Sequence, residues 1–237
     1  MAVSREDALR ILAERYMSIG KKEQISDRQI HRKVRDLAAR MGAVIRYKDE
    51  SRLMKILGKI LFFAPRFNSD IATTIGKTIW LPSREWARDE RRCWMVLAHE
   101  LVHVADAIRV GGVLFALSYL FPQCLALLAP LALIPGCEWL LAFLACAAPI
   151  PAPWRAHWEF RGYGISLACI YWRRIPTVGP KYIIEKHFTG PTYYFMWPFG
   201  SSVRERIDRY RWMASAGTLS REIPIAADLY GIINFSK

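Results

Sequence analysis

The stretch Ala98-His99-Glu100-Leu101-Val102-His103 governs how the rest of the chain is read. Residues four apart share one face of an α-helix, so His99 and His103 can aim both imidazoles at a single cation about 2 Å from each nitrogen. Glu100 follows the first histidine and points toward the open side of such an ion. There a carboxylate can take a proton from water and later deliver it to a leaving amine. The flanking pattern predicts a long helix over roughly 84–109. Leu97, Leu101, Val104 and Ile108 form its apolar stripe, and Trp94, Met95 and Val96 make it apolar on nearly every side, as suits a helix at the centre of a domain.

A catalytic zinc needs a third protein ligand and one position left for water. Glu159, on a predicted helix over 154–172, is the first candidate, with Arg155 one turn before it and Tyr163 one turn after on the same face. Arg155 is placed to hold the carboxylate, and Tyr163 to support it or face a substrate. Asp106 is a second candidate. It lies about 10 Å of helix rise beyond His99, which suits an acceptor for an imidazole N–H better than a ligand. His157, two residues from Glu159 and so turned away from it, is the third.

Outward from these motifs, two amphipathic helices are expected in the first 42 residues. Leu9, Leu12, Tyr16 and Ile19 mark one; Ile30, Val34, Leu37 and Met41 mark the other, started by Ser26 or Asp27 and ended by Gly42. Residues 43–237 form the second region, with a strand over 43–47 and a helix over 51–63. Two β-branched runs between Ile71 and Leu81 meet at a tight Gly76-Lys77 turn. A Gly/Pro-punctuated aromatic stretch over 187–198 reads as a loop, followed by a helix over about 202–216 and a loose tail. From the loop, His187, Tyr193 or Tyr194 is placed to donate a hydrogen bond to an oxyanion, and His187 and Tyr163 join Glu100 as catalytic candidates.

Composition separates two kinds of chain. Of 237 residues, 34 are Lys or Arg and 21 Asp or Glu, a net charge of +13. Residues 110–153 hold one charge, Glu138, so the other 193 residues carry 54 of the 55 charges. With 53% hydrophobic residues, wholesale disorder, collagen and coiled coil are excluded. The basic residues are interleaved with acidic ones and attached to no recognisable nucleic-acid module, so nucleic acid is not an expected partner. Five scattered cysteines without a CxxC pair read as reduced thiols, and the charged N-terminus has no apolar signal core, which together predict a cytoplasmic location for the soluble part.

Because Glu159 must return to the ion held by His99 and His103, the tract 110–153 has to leave and come back on one side. Two membrane spans need about 40 residues and a turn. The tract has 44, with Pro135-Gly136 near its middle, and Val113–Ile134 is the better first leg. A re-entrant or interfacial loop, or an apolar hairpin packed on protein, fits the shorter second leg, so a membrane or a protein partner is expected at 110–153.

The His99-Glu100-x-x-His103 pair with a distant helical Glu159 resembles the gluzincin branch of HExxH zinc metallopeptidases. The Thr73–Ile79 hairpin resembles the edge strand that lines the zincin cleft, where an extended peptide pairs through its backbone. The apolar tract between the His pair and Glu159 is similar to that of membrane-embedded gluzincins. Segments of the HELVH, YLxP and RxxxExxGY kind also resemble small metallopeptidase-like proteins encoded by tailed phages. The resemblance covers residues 43–172 and departs at Gly162 and Gly164, which loosen the ligand helix. It implies an α+β zincin-like domain with a central HExxH helix, a small antiparallel sheet and an apolar helical hairpin insertion. The implied function is that of a Zn2+-dependent endopeptidase acting on a peptide or protein substrate. The alternatives are a non-catalytic assembly protein keeping the fold as scaffold, and a membrane-inserting protein whose hairpin is the working part.

Overall fold

A computed structural model of the chain describes residues 25–60, 66–176 and 179–235. The helix expected around Leu9 and Ile19 and the end of the one expected over 51–63 lie outside them. The described chain is α+β, helices dominating a three-stranded sheet.

Helix α1 (Asp27–Arg40) begins at a capping box in which Ser26 Oγ accepts from the Gln29 N–H and the Gln29 side chain accepts from the Ser26 N–H. Strand β1 (Val44–Tyr47), α2 (Arg52–Ile60), β2 (Thr73–Ile75) and β3 (Thr78–Leu81) follow. The turn between β2 and β3 uses Gly76 at φ +59°, where a side chain would be strained. The sheet order is β1-β3-β2, with β2 antiparallel to β3 but β1 parallel to it. The expected all-antiparallel sheet is therefore corrected to a mixed one. The β2–β3 link is a two-residue hairpin, whereas the route from β1 to β3 passes through α2 and permits a parallel pairing.

Helix α3 (Glu90–Val110) carries the histidine pair and is capped by Asp89, whose side chain accepts from the Arg92 N–H. It runs through the core, with Trp94, Leu97, Leu101 and Val104 fully buried, while Ile108 at its end is half exposed. Asp27 at the start of α1 ties the two helices together, accepting from the Trp94 indole N–H at 3.0 Å and from Arg91 Nε at 2.8 Å. Helix α5 (Pro153–Trp172) packs along α3 and buries Glu159 and Arg161. Between them, α4 (Gly112–Leu120) follows Gly111, and the chain bends by 117° from α3 to α4.

The apolar tract does not form two long helices, which among the alternatives only the two-span one requires. Helix α4 stops before Pro122, which has no N–H to continue it. Two 3₁₀ segments, Gln123–Leu133 and Glu138–Ala147, then fold against each other around the Pro135-Gly136 turn. Among the described residues no single helix is long and apolar enough to cross a membrane.

The C-terminal part is more ordered than its sequence predicts. Residues Pro180–Thr189 form α6, so His187 sits in a last helical turn and not in a loop. Helix α7 (Gly200–Ser215) follows, and the expected loose tail forms α8 (Ala226–Asn234), with Leu229 and Ile233 buried in the common core.

Candidate metal centre

Three side chains converge between α3 and α5. Nε2 of His99 lies 3.6 Å from Glu159 Oε2, and Nε2 of His103 lies 3.5 Å from Glu159 Oε1. The ligand atoms of the three residues all lie within 4.8 Å of one another. These separations are too long for good hydrogen bonds. They are close to the edge of about 3.3 Å expected between donors each about 2 Å from one tetrahedral ion. Glu159 Oε2 is buried and accepts no hydrogen bond, so its lone pairs face the shared space.

Sequence spacing explains the convergence. His99 and His103 are four apart on α3. On α5, Glu159, Gly162, Tyr163 and Ser166 fall at i, i+3, i+4 and i+7 and so line one face. Each touches the same neighbourhood. A Cβ added at Gly162 would come within 2.5 Å of His99 Nε2, so this glycine lets the imidazole pass between the helices. This glycine, one of the two expected to loosen the helix, makes room for the His99 ring. Ser166 Oγ sits 3.2 Å from His99 Nδ1, and the Tyr163 ring meets the His99 ring edge-on with centroids 4.9 Å apart.

The carboxylate has a holder that the sequence does not advertise. The Tyr119 hydroxyl, from α4 in the apolar tract, donates to Glu159 Oε1 at 2.5 Å. Arg155, expected to grip Glu159 directly, instead donates from Nε to the Tyr119 carbonyl and from Nη2 to Gln123 Oε1. It steadies the tyrosine that steadies the carboxylate.

Glu100 lies beside the pair, 7% exposed, and its Oε2 accepts from Thr74 Oγ1 on β2 at 2.6 Å. Strand β2 is in turn held by Lys48, whose buried ammonium donates to the Phe67 and Ile71 carbonyls and to Thr73 Oγ1. The sequence places Thr74 in the hairpin without its bond to Glu100, and it gives no sign of a role for Lys48. β-Branched residues on a strand announce only the strand.

Asp106 and His157 are elsewhere. Asp106 does not accept from an imidazole: Arg161 clamps it through two bonds of 2.7 Å and Arg109 adds a third at 3.2 Å. A buried carboxylate is satisfied best by a forked guanidinium, and α5 supplies one. His103 Nδ1 is left without a hydrogen bond. His157 turns to another side of α5, edge-on to Trp158 at 4.8 Å between centroids. His187 does approach the site: its Nδ1 is 2.7 Å from the Tyr163 hydroxyl, which also donates to the Tyr193 hydroxyl at 3.2 Å. The Tyr194 hydroxyl donates to the Ala147 carbonyl of the apolar tract and so points away from this chain of groups.

The electrostatics follow from burial and neighbours. Burial opposes ionisation of Glu159, yet the two imidazoles and the Tyr119 hydroxyl outweigh it and hold the carboxyl at about 2. Burial also opposes the His99 imidazolium, but Glu159 prevails and the net direction is upward. For His103 burial prevails and the direction is downward. Burial raises the Tyr163 and Tyr193 phenols, so both stay protonated at neutral pH, and lowers His187. Glu100 and Glu159 are thus two buried acidic groups, and among the described residues neither has a bonded lysine or arginine. The His99, His103 and Glu159 group could hold a metal ion, and a His2Glu donor set is of a kind that zinc accepts.

No family model, no curated protein and no solved structure matches the chain.

Proposed function

We propose that the chain is a zinc-dependent peptidase with a zincin-like fold, its metal held by His99, His103 and Glu159. The observation that carries this reading is the convergence of two imidazole nitrogens on a buried carboxylate at 3.5 and 3.6 Å, with a second buried carboxylate, Glu100, alongside. Bound there, zinc would supply a Lewis acid for a carbonyl oxygen and acidify a water molecule.

This chain's own groups do the rest. Thr74 occupies Glu100 Oε2 and leaves Oε1 to accept a proton from the attacking water. Water oxygen adds to the scissile carbonyl carbon, the C–N bond breaks, and Glu100 hands its proton to the departing nitrogen. Tyr163, held by His187, donates its O–H to Tyr193, and Tyr193, which remains protonated, keeps its own O–H for the oxygen on which negative charge develops. Strand β2 is an outer strand of the sheet and carries Thr74, so an extended peptide adding to that edge would lie across Glu100.

The test is zinc content and peptide turnover of the wild type, Glu159→Ala and Glu100→Gln. Near-stoichiometric zinc in the wild type, lost in Glu159→Ala, is expected. Glu100→Gln should keep its zinc and lose at least about 10³-fold in turnover, the scale of a general base with its electrostatic support. Undiminished turnover in Glu100→Gln, or a wild type that binds no zinc, would overturn the proposal.

A further inference from the structure

The apolar tract has one property that its composition alone does not reveal: its few hydrogen-bonding side chains, the cysteines and the Trp139 indole aside, are engaged internally. Ser118 donates to the Phe115 carbonyl, Tyr119 to Glu159, and Gln123 to the Ile150 carbonyl, while Glu138 accepts from the Gly136 N–H. What remains outward, the exposed Glu138 apart, is hydrocarbon and the Trp139 ring. Val113 is 76% exposed, Leu127 76%, Leu133 90% and Trp139 66%, and Leu117 and Leu141 are also exposed. Such a surface is foreign to a soluble monomer, whose exposed apolar residues are scattered.

We propose that residues 112–147 form a docking surface for an anionic lipid bilayer, seated in the plane of the interface without crossing it. This goes beyond the peptidase reading and does not depend on it. Three features select lipid over protein. First, a protein interface of this size carries hydrogen-bonding groups at about one per 100–200 Å², and this tract presents almost none. Second, the charge is complementary to anionic headgroups. The tract contributes −1, so the remaining 193 residues carry 34 − 20 = +14, which attracts an acidic membrane and repels a second copy of the chain. Arg109, whose side chain is half exposed, stands directly before the tract. Third, Trp139 just past the Pro135-Gly136 turn and Trp154 directly after the tract are exposed, and tryptophan favours the boundary between headgroup and acyl chain. Shallow seating follows from length, since α4 has 9 residues and the 3₁₀ segments 11 and 10, all short of the roughly 20 that a spanning helix needs.

The experiment is flotation of the full chain with vesicles of phosphatidylcholine, pure or containing one-third phosphatidylglycerol, alongside the double variant Leu127→Asp/Leu133→Asp. Both positions are exposed, so the variant should fold, and unchanged zinc content and circular dichroism check that it does. The wild type is expected to float with the anionic vesicles, at least tenfold less with the neutral ones, and the variant to lose at least tenfold in anionic binding. Brominated acyl chains should quench wild-type fluorescence more than that of Trp139→Phe. A wild type that ignores anionic vesicles, a variant that binds as well as the wild type, or equal binding to neutral vesicles would overturn the proposal. So would a wild-type dimer that the same substitutions dissociate, because the occupant would then be a second copy.

Discussion

Tyr119 Oη and Glu159 Oε1 are joined by a 2.5 Å hydrogen bond that links two elements 40 residues apart. Through it the apolar tract fixes the orientation of the carboxylate that completes the His99–His103 pair. Tyr119→Phe keeps the ring and removes only this donor. The expected outcome is a loss of about 10- to 100-fold in zinc affinity, the usual scale for a group that orients a metal ligand. Competition with a chromogenic chelator measures it, and unchanged affinity would separate the tract from the site.

Gly162→Ala places a methyl 2.5 Å from His99 Nε2, at the atom that faces Glu159. The imidazole must move, so zinc binding is expected to fall below detection by elemental analysis, with destabilisation on the order of 1–3 kcal/mol from overpacking. Gly164→Ala meets only side-chain carbons of Tyr210 and Ile223 at 3.0–3.1 Å and should retain zinc. If the two variants lose metal alike, the effect is on the helix and not on the ligand.

Asp106 and Arg161 are a buried pair, 1% and 4% exposed. Arg161→Leu leaves a carboxylate buried in the core with only the half-exposed Arg109 as partner, and should cost about 3–5 kcal/mol in urea denaturation. Asp106→Leu combined with Arg161→Leu should recover most of that cost, since a packed apolar pair replaces the ions. Additive losses in the double variant would show that the pair acts through something other than mutual compensation.

Lys48 gives the fold a distinctive alkaline behaviour. Burial lowers its ammonium from 10.5 to about 8, against the pull of Glu100. Between about 8 and 10.5 the unfolded chain holds the proton that the folded chain has released, so this group makes stability rise with pH across that window. In Lys48→Met the rise should disappear. Stability at pH 7 should also fall by about 2–4 kcal/mol, because the Phe67 and Ile71 carbonyls and Thr73 lose their donor. Guanidinium melts at pH 7 and 10 on both proteins provide the comparison.

Local rules made much of this legible. The four-residue step between His99 and His103, the helix start at Ser26 or Asp27 and the Gly76-Lys77 turn each depend on a few neighbouring residues, and each appears where spacing and residue type put it. Glu159 was readable for the same reason, as one polar group on a helical face. The helix over 180–189 and the one over 226–234 were not, because their apolar residues pack on a core contributed by distant segments, which overrides weak local signals. The parallel pairing of β1 with β3 was likewise invisible, since alternation within a strand carries no record of its neighbour's direction.

Sequence by itself determined that His99 and His103 share a helical face, and it left Glu159, Asp106 and His157 as candidates beside them; only the fold brings Glu159 to the pair. Only the tertiary structure decided what holds those groups in place. Tyr119 rather than Arg155 bonds Glu159, Thr74 bonds Glu100, and Arg161 takes Asp106 away from the histidines. These are contacts between residues 26 to 55 positions apart. They arise when buried polar groups must find partners among whatever the packed helices bring near, a choice made by the fold as a whole.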